Sequence, residues 1–340
     1  MPTTRTALTA SLAALALGLT ACGGGGGDDD SGGDGGSGGE AVTVEHNLGT
    51  TEIPAPEDGE LDIVALGWSD AEVALALGHE PVAVMDWLGF GEETHGVGPW
   101  AADEVEGEPA VIERADGELD YEEIQALDPD LILNVNSDYD EATYERLSEI
   151  APTVAGPEGA ANFNPGWQNQ TELIAQALGE EEAGEELISD TESRIEEVAS
   201  EHPDFEGVEA VTGSKFGEAY GLSAAGDLRW DIMQDLGFTM YGPAAEIAPE
   251  DDFYADVSQE QVDVFDADVA VLFPIGYTLE DLEDDDLLSS LDVVSEDRAV
   301  LLDPDEELVQ AFSAGSPLSI EVVLDELPDR LQEAVDRGQE

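Results

Sequence analysis

The sequence predicts an α/β protein of two similar lobes with parallel-rich sheets, joined by one long helical connector, with a ligand cleft between the lobes. Three observations carry this expectation. Short apolar runs alternate with amphipathic helical segments, the pattern of parallel α/β units. A helix-turn-strand unit recurs, since "DYEEIQALDPDLILN" (120–134) can be laid over "SQEQVDVFDADVAVL" (258–272). Between the two copies, residues 167–202 show a helical apolar stripe and no strand pattern.

In chain order, Met1–Arg5 is short and basic, and Ala7–Leu19 is an apolar run too short to span a bilayer. These are the n- and h-regions of a secretory signal. Leu19-Thr20-Ala21-Cys22 follows and resembles the bacterial lipobox, in which the cysteine is acylated and becomes the first mature residue. The expectation is a lipoprotein signal over 1–21, lipidation at Cys22 and a Gly/Asp/Ser tether over 22–41. Such a tether has no apolar surface to bury and behaves as flexible coil. The alternative is a plain secretory signal with an incidental cysteine. Cys22 is the only cysteine, so no disulfide forms within the chain and the fold rests on its cores.

The first lobe is expected over 42–165. "LDIVALG" (61–67) is a buried strand, and "SDAEVALALG" (69–78) is a helix with Ser69 as N-cap and Gly78 as C-cap. "PVAVM" (81–85) is the next strand. In the repeated unit, Asp120 with Glu123 and Ser258 with Gln261 have capping-box spacing. The connector is placed at 166–205, with Leu173, Ile174, Ala177 and Leu178 on one face and Gly179 and Gly184 as points of a break or kink. The second lobe, with a terminal helix, takes 206–340. Ligands of open α/β sheets bind outside the carboxyl ends of the strands, which directs attention to those loops.

Nine basic residues stand against 82 acidic ones, a formal net charge of −73. This excludes nucleic acid as a partner, because phosphate contacts need Lys and Arg. The carboxylates are read as a solvated surface suited to a saline or alkaline habitat, where counterions screen self-repulsion. No G-x-S-x-G, H-E-x-x-H, phosphate-cradling loop or D-x-D-x-D-G loop occurs, and the four histidines lack metal-ligand spacing. No enzymatic centre or resident metal is therefore expected. The strand-end loops instead hold Trp68, Trp87, Trp100 and Tyr139, suited to a large, partly apolar ligand. In the second lobe, "GSKFGEAYGLSAAGDLRWD" (213–231) is taken as a loop. It brings Lys215, the only lysine, together with Tyr220 and Arg229. Two cations so close together point to recognition of an anionic ligand. The alternative is ion pairing with the abundant carboxylates.

An ordered set of segments spans nearly all of 42–336. It comprises "PWAADEVEGEPAVI", "LDYEEIQALDPDLIL", "YERLSEIAPTV", "WQNQTELIAQALG", "GDLRWDIMQDLGF", "FYADVSQEQVDVFDADVAVL" and "SAGSPLSIEVVLDELPDRLQEAV". Together these resemble the lipoprotein solute-binding components of ABC importers for ferric siderophores, of the actinobacterial type, within a wider group that also binds haem and vitamin B12. The resemblance implies two Rossmann-like lobes, a rigid helical connector and a monomeric carrier on the extracytoplasmic face. It also implies no cofactor, since the siderophore saturates its own iron. By position, Trp68, Trp100, Tyr139 and Trp167 match the cleft-lining loops or helix starts, and Arg229 matches a basic residue after the S-x-x-G-D loop. Permease docking through one acid per lobe maps to Glu141 and Glu280. The family often has Arg just before the first strand; Glu60-Leu61-Asp62 stands here instead.

The rivals are a haem or cobalamin binder of the same fold, a ligand sensor without transport, and an anchored enzyme, for which no nucleophile–base pair is visible. The charge supports an expectation of its own. Removing counterions raises self-repulsion in the compact state. The melting temperature should therefore rise substantially from low to molar salt in a thermal-denaturation series. A melting temperature indifferent to ionic strength would contradict a salt-tuned surface.

Overall fold

The computed structural model describes residues 41–56, 59–114, 117–249 and 252–339. The predicted signal, Cys22 and all but the last residue of the tether lie outside the described residues.

A hairpin of β1 (Val42–His46) and β2 (Gly49–Ile53) opens the first lobe. There follow β3 (Ile63–Ala65), α1 (Asp70–Ala76), β4 (Ala83–Met85), β5 (Ala110–Ile112), α2 (Tyr121–Ala126), β6 (Leu131–Leu133), α3 (Glu141–Ser148) and β7 (Thr153–Val154). Strands β5-β4-β3-β6-β7 form one parallel sheet in that order. Its strands are apolar on both faces because helices cover both. Leu131 and Leu133 join a core with Val73 and Ile174, while Ile132 meets Ile124 and Leu147 on the other side.

The connector is two helices, α4 (Trp167–Leu178) and α5 (Glu181–Glu201), rather than the single long one expected. Gly179, at φ 73°, ends α4 in the left-handed conformation that glycine adopts without a steric penalty. Gly184 lies inside α5 and has a different role. A Cβ there would lie 2.4 Å from Ala175 Cβ, so its hydrogen side lets the two helices touch. The apolar face of α4 packs into the first lobe beside Val44 and Ile53, whereas Ile195 and Val198 of α5 pack into the second.

The second lobe runs through β8 (Glu209–Phe216), β9 (Ala219–Ser223), α6 (Leu228–Asp235), β10 (Thr239–Met240), α7 (Gly242–Ala245), β11 (Tyr254–Val257), β12 (Val269–Pro274), α8 (Leu279–Glu283), α9 (Asp292–Ser295), β13 (Ala299–Leu301), α10 (Glu307–Ala314) and α11 (Pro317–Gly338). Its sheet is ordered β11-β9-β8-β12-β13, with β10 parallel to the start of β8. The pairs β8–β12 and β12–β13 are parallel; β8–β9 and β9–β11 are antiparallel. The segment taken as a loop at 213–231 is thus largely hairpin. The chain turns at Gly217–Glu218, too tightly for a helical crossover, and must return antiparallel.

Local capping also differs from expectation. Ser69 precedes α1 but has φ 60° and makes no side-chain cap; its hydroxyl donates to the Ala314 carbonyl of the other lobe at 2.9 Å. Leu77 occupies the C-cap position and Gly78 follows it at φ 79°. Asp120 does cap α2, accepting from Glu122 N and Glu123 N at 3.0 and 3.2 Å. Its counterpart Ser258 instead bonds the Gln261 side chain and opens a 3-10 helix over Gln259–Phe265. The two repeat units therefore share element order and a buried strand, but differ in helix type and in which helical residues are buried. No helix among the described residues is long and apolar enough to cross a membrane.

Candidate functional site

The strand-end loops of both lobes meet the start of α4 around a cavity of about 340 Å³. The first lobe contributes Trp68, just after β3, and Asn136, just after β6. The segment Asn162-Phe163-Asn164-Pro165-Gly166 leads into Trp167, the first residue of α4. From the second lobe come Asp227, Arg229 and Asp231 around the start of α6, Phe253 before β11, and Phe312 at the end of α10. The wall is therefore mainly aromatic rings and carboxamides.

An aromatic stack supports the first-lobe wall. Trp68 lies on Trp87 with ring centroids 5.2 Å apart and on Phe163 at 4.6 Å. Across the gap, Asn164 Nδ2 donates to the Gly226 carbonyl at 2.7 Å and joins the two rims. Beneath the wall, Gln170 Nε2 donates to the Trp68 carbonyl at 2.9 Å and to Asp70 Oδ1 at 2.8 Å.

The buried polar support comes from the first turn of α1. Asp70 accepts from Val135 N at 2.7 Å and from Asn136 N at 3.2 Å. Glu72 Oε2 accepts from Trp100 Nε1 at 2.7 Å and from the Ser316 hydroxyl, the N-cap of α11, at 2.5 Å. Burial pushes the Asp70 carboxyl up to about 7 despite its donors, and pushes Glu72 up against its bonds to Ser316 and Trp100. Both are exceptions to the reading of acids as solvated surface. In sequence they look like ordinary acids at a helix start, where the helix dipole favours them.

Of the residues singled out in the sequence, Trp68, Trp167 and Arg229 meet in the cavity wall. Trp100 lies outside the wall, held by Glu72 with its ring edge-on to Phe90. Tyr139, at φ 52°, also lies outside it; its hydroxyl is buried without a partner among the described residues. Lys215 and Tyr220 both engage Asp285, Lys215 as an ion pair and Tyr220 through its hydroxyl at 2.9 Å. Both are absent from the cavity wall. Neither expected cation is free, because Asp285, in the loop after α8, pairs with Lys215 and Asp227, the N-cap of α6, pairs with Arg229. Arg229 Nε donates to Asp227 Oδ1 at 2.7 Å and Nη2 to Oδ2 at 2.5 Å. Glu141 and Glu280 are exposed in the first turns of α3 and α8, which follow the matching strands β6 and β12.

Sequence reasoning missed Phe163, Phe253, Phe312 and the asparagines of 162–164. The run "NFNPGW" carried a signal, since turn-forming Asn, Pro and Gly immediately before a helix-starting Trp mark a constrained loop. Among the described residues, no cluster of three His, Cys, Asp or Glu side chains is placed to hold a metal ion.

The sequence pattern of the family described as "Periplasmic binding protein" matches residues 63–306. The chain belongs to this family. It is 31% identical over 241 residues to the probable siderophore-binding lipoprotein YfiY of Bacillus subtilis, covering 68% of each chain. A periplasmic solute binding protein from Mycobacterium smegmatis superposes with TM-score 0.75 at 33% identity, covering 87% of this chain and 99% of that one. Streptococcus pneumoniae PiaA in complex with ferrichrome gives TM-score 0.73 at 25% identity, covering 87% and 99%. These are solute-binding proteins, not enzymes, and the two-lobed architecture is theirs.

The buried Asp70 has a signed consequence for stability. Its folded-state pKa lies above its unfolded value, so its stabilisation is fully present below about pH 4 and is lost as pH rises through about 7. At constant molar salt, the melting temperature of wild type minus that of Asp70→Asn should fall as pH rises across this window. The slope corresponds to at most about 1.4 kcal/mol per pH unit. A difference that stays flat with pH would show that Asp70 keeps an ordinary pKa.

Proposed function

We propose that this chain is an exported, lipid-anchored carrier that captures a ferric siderophore between its lobes and delivers it to an ABC permease. The observation that carries the reading is the aromatic- and carboxamide-walled cavity between two lobes, in a chain similar to a probable siderophore-binding lipoprotein and to PiaA, which was solved with ferrichrome. A hexadentate siderophore fills the coordination sphere of its own iron. The protein then has only to grip the organic shell, through rings that shed water and amides that pair with its carbonyls. No cofactor is required, and one copy of the chain suffices for one chelate.

Glu141 and Glu280 are the proposed contacts to the permease subunits, presented one per lobe on exposed helix starts. Cys22 is the proposed anchor on the extracytoplasmic face. Cys22→Ser should abolish acylation and release the protein into the soluble fraction. Membrane retention of that variant would argue for a plain signal.

Ligand capture is tested by tryptophan fluorescence, since Trp68 and Trp167 stand in the cavity wall. Titration with a panel of ferric siderophores should give saturable quenching by at least one member at micromolar concentration or below. Haem, cobalamin and the iron-free siderophores should bind at least about ten-fold more weakly. Saturation by haem or cobalamin alone would transfer the protein to the other branch of the resemblance, and no saturation by any chelate would end the siderophore reading.

A further inference from the structure

We infer that the cavity selects an iron chelate with no net negative charge, neutral or cationic, and that Asp231 is the residue that sets this preference. The inference rests on the siderophore reading above and deepens it. It starts from the charges in the wall, which among the described residues are Asp227, Arg229 and Asp231. Asp227 and Arg229 cancel. Asp227 is 3% exposed, caps α6 by accepting from Arg229 N at 2.9 Å, and holds the guanidinium by two side-chain bonds. A guanidinium whose Nε–Nη2 edge is held by a buried carboxylate has its charge neutralised, so it offers an anionic chelate hydrogen bonds from its remaining N–H groups but no net positive charge.

Asp231, one turn further along α6, has no such partner. Its Oδ1 accepts from Gly226 N at 2.9 Å, and no cation pairs with it among the described residues. Burial, with Asp227 and Asp235 nearby, pushes its carboxyl up to about 6, so it is mostly ionised at neutral pH. The wall therefore carries about one uncompensated negative charge. Lys215 is spent on Asp285 and does not line the cavity.

The surrounding field agrees, since a chain of net charge −73 repels anions until salt screens it. Three hydroxamates each bring one negative charge and neutralise ferric iron, so a trihydroxamate complex is neutral, or cationic when it carries a free amine. Three catecholates leave an excess of three negative charges. The hydroxamate class fits this wall.

The test uses the intact protein and three iron-loaded probes at molar salt, where the global field is screened. These are ferrioxamine B with its free ammonium, neutral ferrichrome, and the anionic tris-catecholate ferric enterobactin. The cationic and neutral probes should each bind at least about ten-fold more tightly than the anionic one. In Asp231→Asn, which keeps the acceptor for Gly226 N, the ratio of cationic to neutral affinity should fall about ten-fold, and the variant's melting temperature monitors the fold. The inference is overturned if the anionic probe binds as tightly as the others, or if Asp231→Asn leaves the ratio unchanged, even though ferric chelates bind. If no ferric chelate of any charge binds, the siderophore reading itself fails and takes this inference with it.

Discussion

Two carboxylates in the first turn of α1, Asp70 and Glu72, tie together pieces of chain that no single core could hold. Asp70 collects the backbone amides after β6 and the Gln170 side chain of α4. Glu72 collects Trp100 and the Ser316 cap of α11, so one helix of the first lobe is bonded to the start of the last helix. A buried carboxylate is expensive unless its lone pairs are filled, and removing one donor leaves the charge exposed to that full cost. Such an arrangement tolerates little displacement of the loops it gathers. The cavity wall inherits this rigidity, because Gln170 carries it from Asp70 to the Trp68 carbonyl and so to the stacked rings of Trp68, Trp87 and Phe163.

The scarcity of cations gives the protein a second constraint. With so few bases, most of those among the described residues are met by carboxylates or backbone oxygens, although Arg114 bonds the Met85 sulfur and Arg146 lies over the Tyr121 ring. Arg194 reaches Glu197, Glu321 and Asp325; Arg330 reaches Glu306; Arg298 reaches Glu296 and two carbonyls. These exposed pairs contribute little individually. Their effect on function is indirect: a positive side chain near the cavity is already neutralised before a ligand arrives. Arg229 and Lys215 both follow that rule, and it separates the electrostatics of this cavity from what a count of nearby bases implies.

The helical connector is divided between the two lobes. Its break at Gly179 sends α4 into the first lobe and α5 into the second, with Gly184 against Ala175 keeping the two helices in contact. The first lobe thus ends, and the second begins, on a helix packed into its own core, and the hydrogen bonds Ser69–Ala314, Glu72–Ser316 and Asn164–Gly226 cross between them.

Much of the architecture was legible in the chain because it depends on local periodicity. Apolar runs such as "LILN" must be covered on both faces, amphipathic stretches between them must be the covering helices, and the ordered motifs identified the family. The break of the connector was visible as a glycine but not its consequence, since an αL cap and a mid-helix glycine look alike without the neighbour they meet. The site was legible only in part. Trp68, Trp167 and Arg229 stand in the wall; Trp100, Tyr139, Lys215 and Tyr220 do not, because a loop position does not determine which way a side chain turns. The sequence alone determined the two-lobed α/β class, the acidic surface and the family, all of which follow from pattern and composition. Only the tertiary structure decided that Asp70 and Glu72 are buried, that Arg229 is already paired and that Asp231 is not. Those facts depend on partners 100 residues or more away, or on the geometry of one helix turn against a cavity, and neither is written in local sequence.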